Sequence, residues 1–136
     1  MNVAEYKKLM EKTNGGKAAQ TEHDLQAACV RLFRVIYPKY ANLLFSIPNG
    51  AKRTKWERGQ ALGEGMLPGV PDLFLAIARK GKHGLWIEMK NGSAGKLSDE
   101  QKEMIARLEE QGYACVVCRN MNEFMKAIKE YLSDNN

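Results

Sequence analysis

The stretch from 70 to 90, VPDLFLAIARKGKHGLWIEMK, constrains the fold more than any other part of the chain. It holds two apolar runs joined by a basic turn. DLFLAIA and GLWIEMK read as strands, and RKGKH is long enough to close them into an antiparallel hairpin. The first run is apolar on both faces, which suits a central strand. Acidic residues break both runs, at Asp72 and at Glu88, and Lys90 follows two positions after Glu88.

The rest of the chain supplies elements around this hairpin. TEHDLQAACVRLFRVIYP predicts a helix, with a capping box at Thr21 and Asp24 and a stop at Pro38. Leu25, Cys29, Leu32 and Ile36 recur at helical spacing, and Ala28 and Phe33 widen the stripe. NLLFSIPNG reads as a short strand. Residues 51 to 69 are charged, rich in glycine and proline and weakly periodic, so a long loop is expected. SDEQKEMIARLEEQG predicts a helix capped by Ser98 and Gln101 and stopped at Gly112. YACVVC reads as a strand and NMNEFMKAIKEYL as a final helix. The order αβββαβα describes one mixed α/β domain, a central mixed sheet flanked by helices, whose last strand arrives through a helical crossover and runs parallel to its neighbour. Residues 3 to 12 form a further short helix, read as an appended arm over 1–16 ahead of a domain at 17–136.

At 136 residues the chain suits a single core. Its formal net charge of +5 favours phosphate-bearing partners, and the cations cluster in KRTKWER and ARKGKH. No apolar run is long enough for a membrane span or a signal peptide, and three cysteines cannot all pair, so free thiols in a reducing cytoplasm are expected. Cys115 and Cys118 form a C-x-x-C, but three residues apart on a strand they face opposite ways and cannot chelate one metal. GSAGKL lacks the residues of a Walker loop, and GEGMLP does not fit the dinucleotide pattern.

Chemistry gathers on the hairpin. Trp86, Glu88 and Lys90 share one strand face, and Leu85, Ile87 and Met89 share the other. An isolated E-x-K is ordinarily an ion pair. The hairpin, however, returns Asp72 alongside Glu88, and two carboxylates so placed are simplest to explain by a divalent cation between them. Oxygen-only ligands favour Mg²⁺ or Mn²⁺ over zinc. Such an ion would serve phosphodiester hydrolysis, with Lys90 orienting a water or stabilising developing charge. Gln101 heads the buried series Met104, Ile105 and Leu108, and Glu22 stands at the edge of the first helix's stripe with Gln26 one turn on. For both, a plain role at a helix start competes with a role in the site.

These residues resemble the VRR-NUC branch of the PD-(D/E)XK nuclease superfamily. Asp72 in PGVPDLFL and Glu88 with Lys90 in GLWIEMK resemble its defining triad, and TEHDLQ, SIPNG and GKLSDEQKEMIARLEEQGY extend the likeness over residues 21 to about 132. The resemblance implies the restriction-endonuclease-like fold, with metal ligation by Asp72, Glu88 and the main-chain carbonyl of Met89. It makes Lys90 the catalytic lysine, places Gln101 near the reactive water or phosphate, and makes Glu22 a supporting or additional metal ligand, with Gln26 beside it and Asn49 next to the site. Gly63 departs from the pattern, since members often carry a lysine near that place.

The chain is similar to standalone, often phage-encoded members, and these resemble homodimeric resolvases of four-way (Holliday) junctions. The leading expectation is therefore a Mg²⁺- or Mn²⁺-dependent, structure-selective DNA endonuclease. Lys52, Arg53, Lys55 and Arg58 are expected to contact phosphates, and Trp56 to stack on an exposed base. The competing expectations are an accessory module that binds nucleic acid without cutting it, and a flap or duplex nuclease that needs a partner. Loss of a carboxylate would mark the inactive module, and the intact Asp72, Glu88 and Lys90 set argues against it.

Overall fold

The computed structural model describes residues 1–14, 21–48, 54–93 and 95–133. Its elements run α1 (Val3–Asn14), α2 (Glu22–Ile36), a 3₁₀ turn (Pro38–Leu43), β1 (Leu44–Ser46), α3 (Lys55–Gly63), β2 (Leu73–Leu75), β3 (Leu85–Met89), α4 (Asp99–Glu110), β4 (Ala114–Cys118) and α5 (Met121–Leu132). The four strands form one sheet in the order β1-β2-β3-β4. β1/β2 and β2/β3 are antiparallel, and β3/β4 is parallel through the α4 crossover. Leu73 faces Ile87 and Leu75 faces Leu85, so the hairpin register carries Asp72 to Glu88.

The hairpin turn is tighter than its five-residue spelling suggests. Arg79 and Lys82 bridge, and the two residues between them, Lys80 (φ 52°) and Gly81 (φ 78°), take the left-handed conformations that match the twist of the strands. β2 itself is shorter than DLFLAIA, although the N–H of Ala76 still donates to the Leu43 carbonyl at 2.8 Å.

Period-two alternation divides the sheet into two unlike faces. Leu44, Leu73, Leu75, Leu85, Ile87, Met89 and Cys118 point into a core closed by Leu25, Cys29, Leu32 and Phe33 of α2 and by Phe124 and Ile128 of α5. The opposite face carries Phe45, Phe74 and Trp86, with α4 over it. Met104, Ile105 and Leu108 of α4 are only half-buried, so that face is partly covered. Both expected capping boxes form, Thr21 with Asp24 and Ser98 with Gln101. Gly112 ends α4 at φ 88°.

Two expectations need correction. The long loop at 51–69 contains α3: the Thr54 hydroxyl caps it by accepting from the Glu57 N–H at 3.1 Å, and only Ala61 is buried. A helix with one buried residue has no apolar stripe, so its period was invisible in the sequence. The arm read as an appendage also packs into the domain, because Val3 and Tyr6 share a face and Tyr6 is 5 % exposed within the core. Among the described residues no helix is long and apolar enough to cross a membrane.

Candidate active site

β3 delivers Glu88 to the α4 face of the sheet, where it is 3 % exposed and the only buried charged residue among those described. Three groups converge on it. The Gln101 amide, from the first turn of α4, donates to Oε2 at 2.8 Å, and the Lys90 ammonium stands 3.5 Å from the same oxygen. The Asp72 carboxyl, across the hairpin, lies within hydrogen-bonding range. Its own Oδ2 accepts from the Met89 N–H at 2.8 Å, which fixes Asp72 against β3.

This surrounding changes the acidity of Glu88. Burial, foremost, and then the Asp72 carboxyl push it up from 4.5 to about 8, while Lys90 works in the other direction. With both the buried Glu88 and the half-buried Asp72 ionised, one nearby ammonium would leave the site short of positive charge. It is an all-oxygen donor set suited to a hard divalent cation.

Gln101 both caps α4 and reaches the strand carboxyl. Its Oε1 accepts from the Ser98 N–H at 2.9 Å in the capping box, and its Nε2 holds Glu88. One amide thereby ties the start of α4 to the centre of β3.

The approach of α4 depends on a residue that sequence reasoning passed over. Gly69, in the PGVPD turn, has φ 90°, and a Cβ there would lie 2.8 Å from the carbonyl carbon and oxygen of Glu100. The turn that launches Asp72 therefore lies against the first turn of the helix that carries Gln101. The signal was present as a glycine between two prolines just before the acid, but its partner is distant in sequence.

The remaining expected site residues sit apart. Glu22 is exposed in the first turn of α2, Gln26 is half-buried one turn on, and no group of three His, Cys, Asp or Glu among the described residues is arranged around a metal. Lys55, Trp56 and Arg58 are exposed on α3, with Trp56 at 73 %. Asn49, Lys52 and Arg53 lie outside the described residues. The cysteines are free thiols, and burial pushes Cys29 and Cys118 up to about 12 and Cys115 up to about 11, far from reactive thiolates.

Comparison with known proteins gives the family. No curated protein matches the chain. A solved structure titled "VRR_NUC domain protein" is similar to it with a TM-score of 0.74 and 26% identity, covering 85% of this chain and 91% of that one. The VRR-NUC domain model matches residues 39–122, a span that takes in Asp72, Glu88, Lys90 and Gln101. The chain belongs to the VRR-NUC domain family of nucleases.

Proposed function

We propose that the protein is a divalent-metal-dependent endodeoxyribonuclease of the PD-(D/E)XK type that acts on branched DNA. The observation that carries this reading is the buried Glu88 paired with the half-buried Asp72, with Gln101 and Lys90 on the same Glu88 oxygen. Asp72, Glu88 and the main-chain carbonyl of Met89 are the groups that would hold Mg²⁺ or Mn²⁺, with Glu22 a further candidate from the surface of α2. A bound cation would supply Lewis-acid polarisation of the phosphate and a more acidic water.

The chain's own groups prepare the site. Gln101 and the Met89 N–H fix the two carboxyls before substrate arrives, which lowers the cost of organising the reaction. The Lys90 side chain is 13 % exposed, with its ammonium paired to Glu88. It is thus placed to orient a water or to stabilise charge on a phosphate. Lys55, Trp56 and Arg58 supply exposed cations and an aromatic platform on α3 for the nucleic acid. Four-way junctions are the proposed substrate and a homodimer the proposed assembly, since paired incisions call for two sites related by a two-fold axis.

The test is cleavage of labelled four-way junction, flap, splayed and linear duplex DNA with Mg²⁺, Mn²⁺ or EDTA, alongside light scattering of the whole chain. Metal-dependent cutting that Glu88→Ala abolishes supports the nuclease, and paired incisions by a dimer support junction resolution. Binding without cutting by a well-folded wild-type protein in either metal would reverse the assignment.

A further inference from the structure

The segment between β3 and α4 carries the chain from Lys90 to Gln101, and one side chain pins it. Arg119, just beyond β4, donates through Nη1 to the carbonyls of Gly92, at 3.0 Å, and of Gly95. Its own main chain is fixed at both ends: its N–H donates to Glu123 Oε1 at 3.0 Å, and its carbonyl accepts from the Gly92 N–H at 3.3 Å. Beyond Met89 the Lys90 and Gly92 N–H groups donate to the Cys118 and Arg119 carbonyls, and the guanidinium takes up the Gly95 carbonyl further on.

Gly95 in turn lies on the lysine. A Cβ at that position would be 3.3 Å from Cβ and Cδ of Lys90, so the Gly95 backbone is packed on the aliphatic stem of that side chain. The connection runs from the Arg119 guanidinium to the Gly95 carbonyl, from Gly95 to the Lys90 stem, and from the stem to an ammonium 3.5 Å from Glu88. A lysine stem has four rotatable bonds and loses considerable freedom when held. Packing against a tethered backbone limits it here, together with the ion pair to Glu88.

We propose that Arg119 is a positioning residue for Lys90, acting through the pinned segment rather than by touching substrate. This rests on the nuclease reading above, and the experiment separates the two. Arg119→Ala, Arg119→Lys, Lys90→Ala and the double variant Lys90→Ala/Arg119→Ala are compared with wild type for kcat and KM on a cleaved DNA. Each is also compared for tryptic cleavage after Lys96, an exposed residue of the same segment.

Arg119→Ala is expected to lower kcat by about tenfold or more with little change in KM, in keeping with the cost of a misplaced group. Arg119→Lys, which can still reach one carbonyl, recovers part of the loss. In the Lys90→Ala background, adding Arg119→Ala should cost less than about twofold, because residues that act through one another are not additive. Tryptic cleavage after Lys96 should be faster in Arg119→Ala. A kcat within about twofold of wild type, or a full multiplicative loss in the double variant, would overturn the positioning role. Unchanged proteolysis would overturn the pinning itself. If the wild-type protein cuts no DNA the nuclease reading fails instead, and the Lys96 comparison still decides whether Arg119 holds the segment.

Discussion

Under the proposed function Glu88 would have to be ionised to hold a cation, and its surroundings oppose ionisation. In the unfolded chain the carboxyl titrates near 4.5, and in the fold it is pushed up to about 8 by burial and by Asp72. Between those values the folded protein keeps a proton that the unfolded chain has released, so stability is greatest at the acid end and falls as pH rises through the window. In EDTA, the melting temperature of wild type should decline from pH 5 to 8.5, whereas Glu88→Gln should follow a flatter curve. Added Mg²⁺ should stabilise wild type more at the alkaline end, where metal no longer competes with the proton. Parallel curves for the two proteins would contradict this account. Trp86, two residues away on the same face, presents a different case. Its indole N–H is buried without an acceptor among the described residues, a defect that ordinarily costs about 1–3 kcal/mol, while its ring lies 4.4 Å from Phe74. Trp86→Phe removes the donor and keeps an aromatic ring, so urea unfolding should show a change of no more than about 1 kcal/mol. A loss near 3 kcal/mol, typical of a core aromatic truncated outright, would mean that the indole contributes more than the retained ring supplies, and that its N–H is not a net defect.

The elements meet at the site where the Gly69 turn lies against α4 and Gln101 reaches Glu88, and the glycine turn is open to a controlled test. Gly69→Ala suffers twice, from a left-handed φ of 90° and from a Cβ 2.8 Å from the backbone of Glu100. Gly65→Ala suffers only once, since its φ is 109° but nothing lies within 4 Å. Both should lose about 1–2 kcal/mol from the backbone term. Only Gly69→Ala should also displace the first turn of α4 and lower cleavage beyond its effect on stability, as read by activity at a temperature where both variants are fully folded. Equal activities would mean that the close approach does not matter to Gln101. These contrasts also mark what the sequence could disclose. Capping boxes, the α2 stripe and the alternation of Leu85, Ile87 and Met89 are local patterns, and all three were legible. α3 was not, because one buried residue leaves no period, and the contact of Gly69 with Glu100 was not, because it joins residues 31 apart in the chain.

At the scale of the molecule, the sheet exposes one half-covered face, and the carboxyl pair lies on that face beneath α4. The meeting of Asp72 with Glu88 and Lys90 was readable because hairpin geometry follows from two strands and a turn. The arm's burial was not, since Tyr6 meets the core only once the tertiary fold forms. Charge adds a property that no single element determines. The net charge of +5 gives a general attraction for DNA, but a local footprint should show itself in the number of counterions released. α3 presents Lys55 and Arg58 at i and i+3, both exposed, with Trp56 between them. If each cation neutralises one phosphate of duplex DNA, replacing either by alanine should lower the slope of log affinity against log salt by about 0.9. Trp56→Ala should instead leave the slope intact and weaken binding to DNA with unpaired bases by about 1–3 kcal/mol, with little effect on plain duplex. Fluorescence anisotropy over a salt series, in Ca²⁺ or EDTA to suppress cutting, distinguishes these patterns. Slopes unchanged in both lysine and arginine variants would move the footprint off α3, and a Trp56 effect equal on duplex and branched DNA would make the ring a packing residue rather than a stacking one.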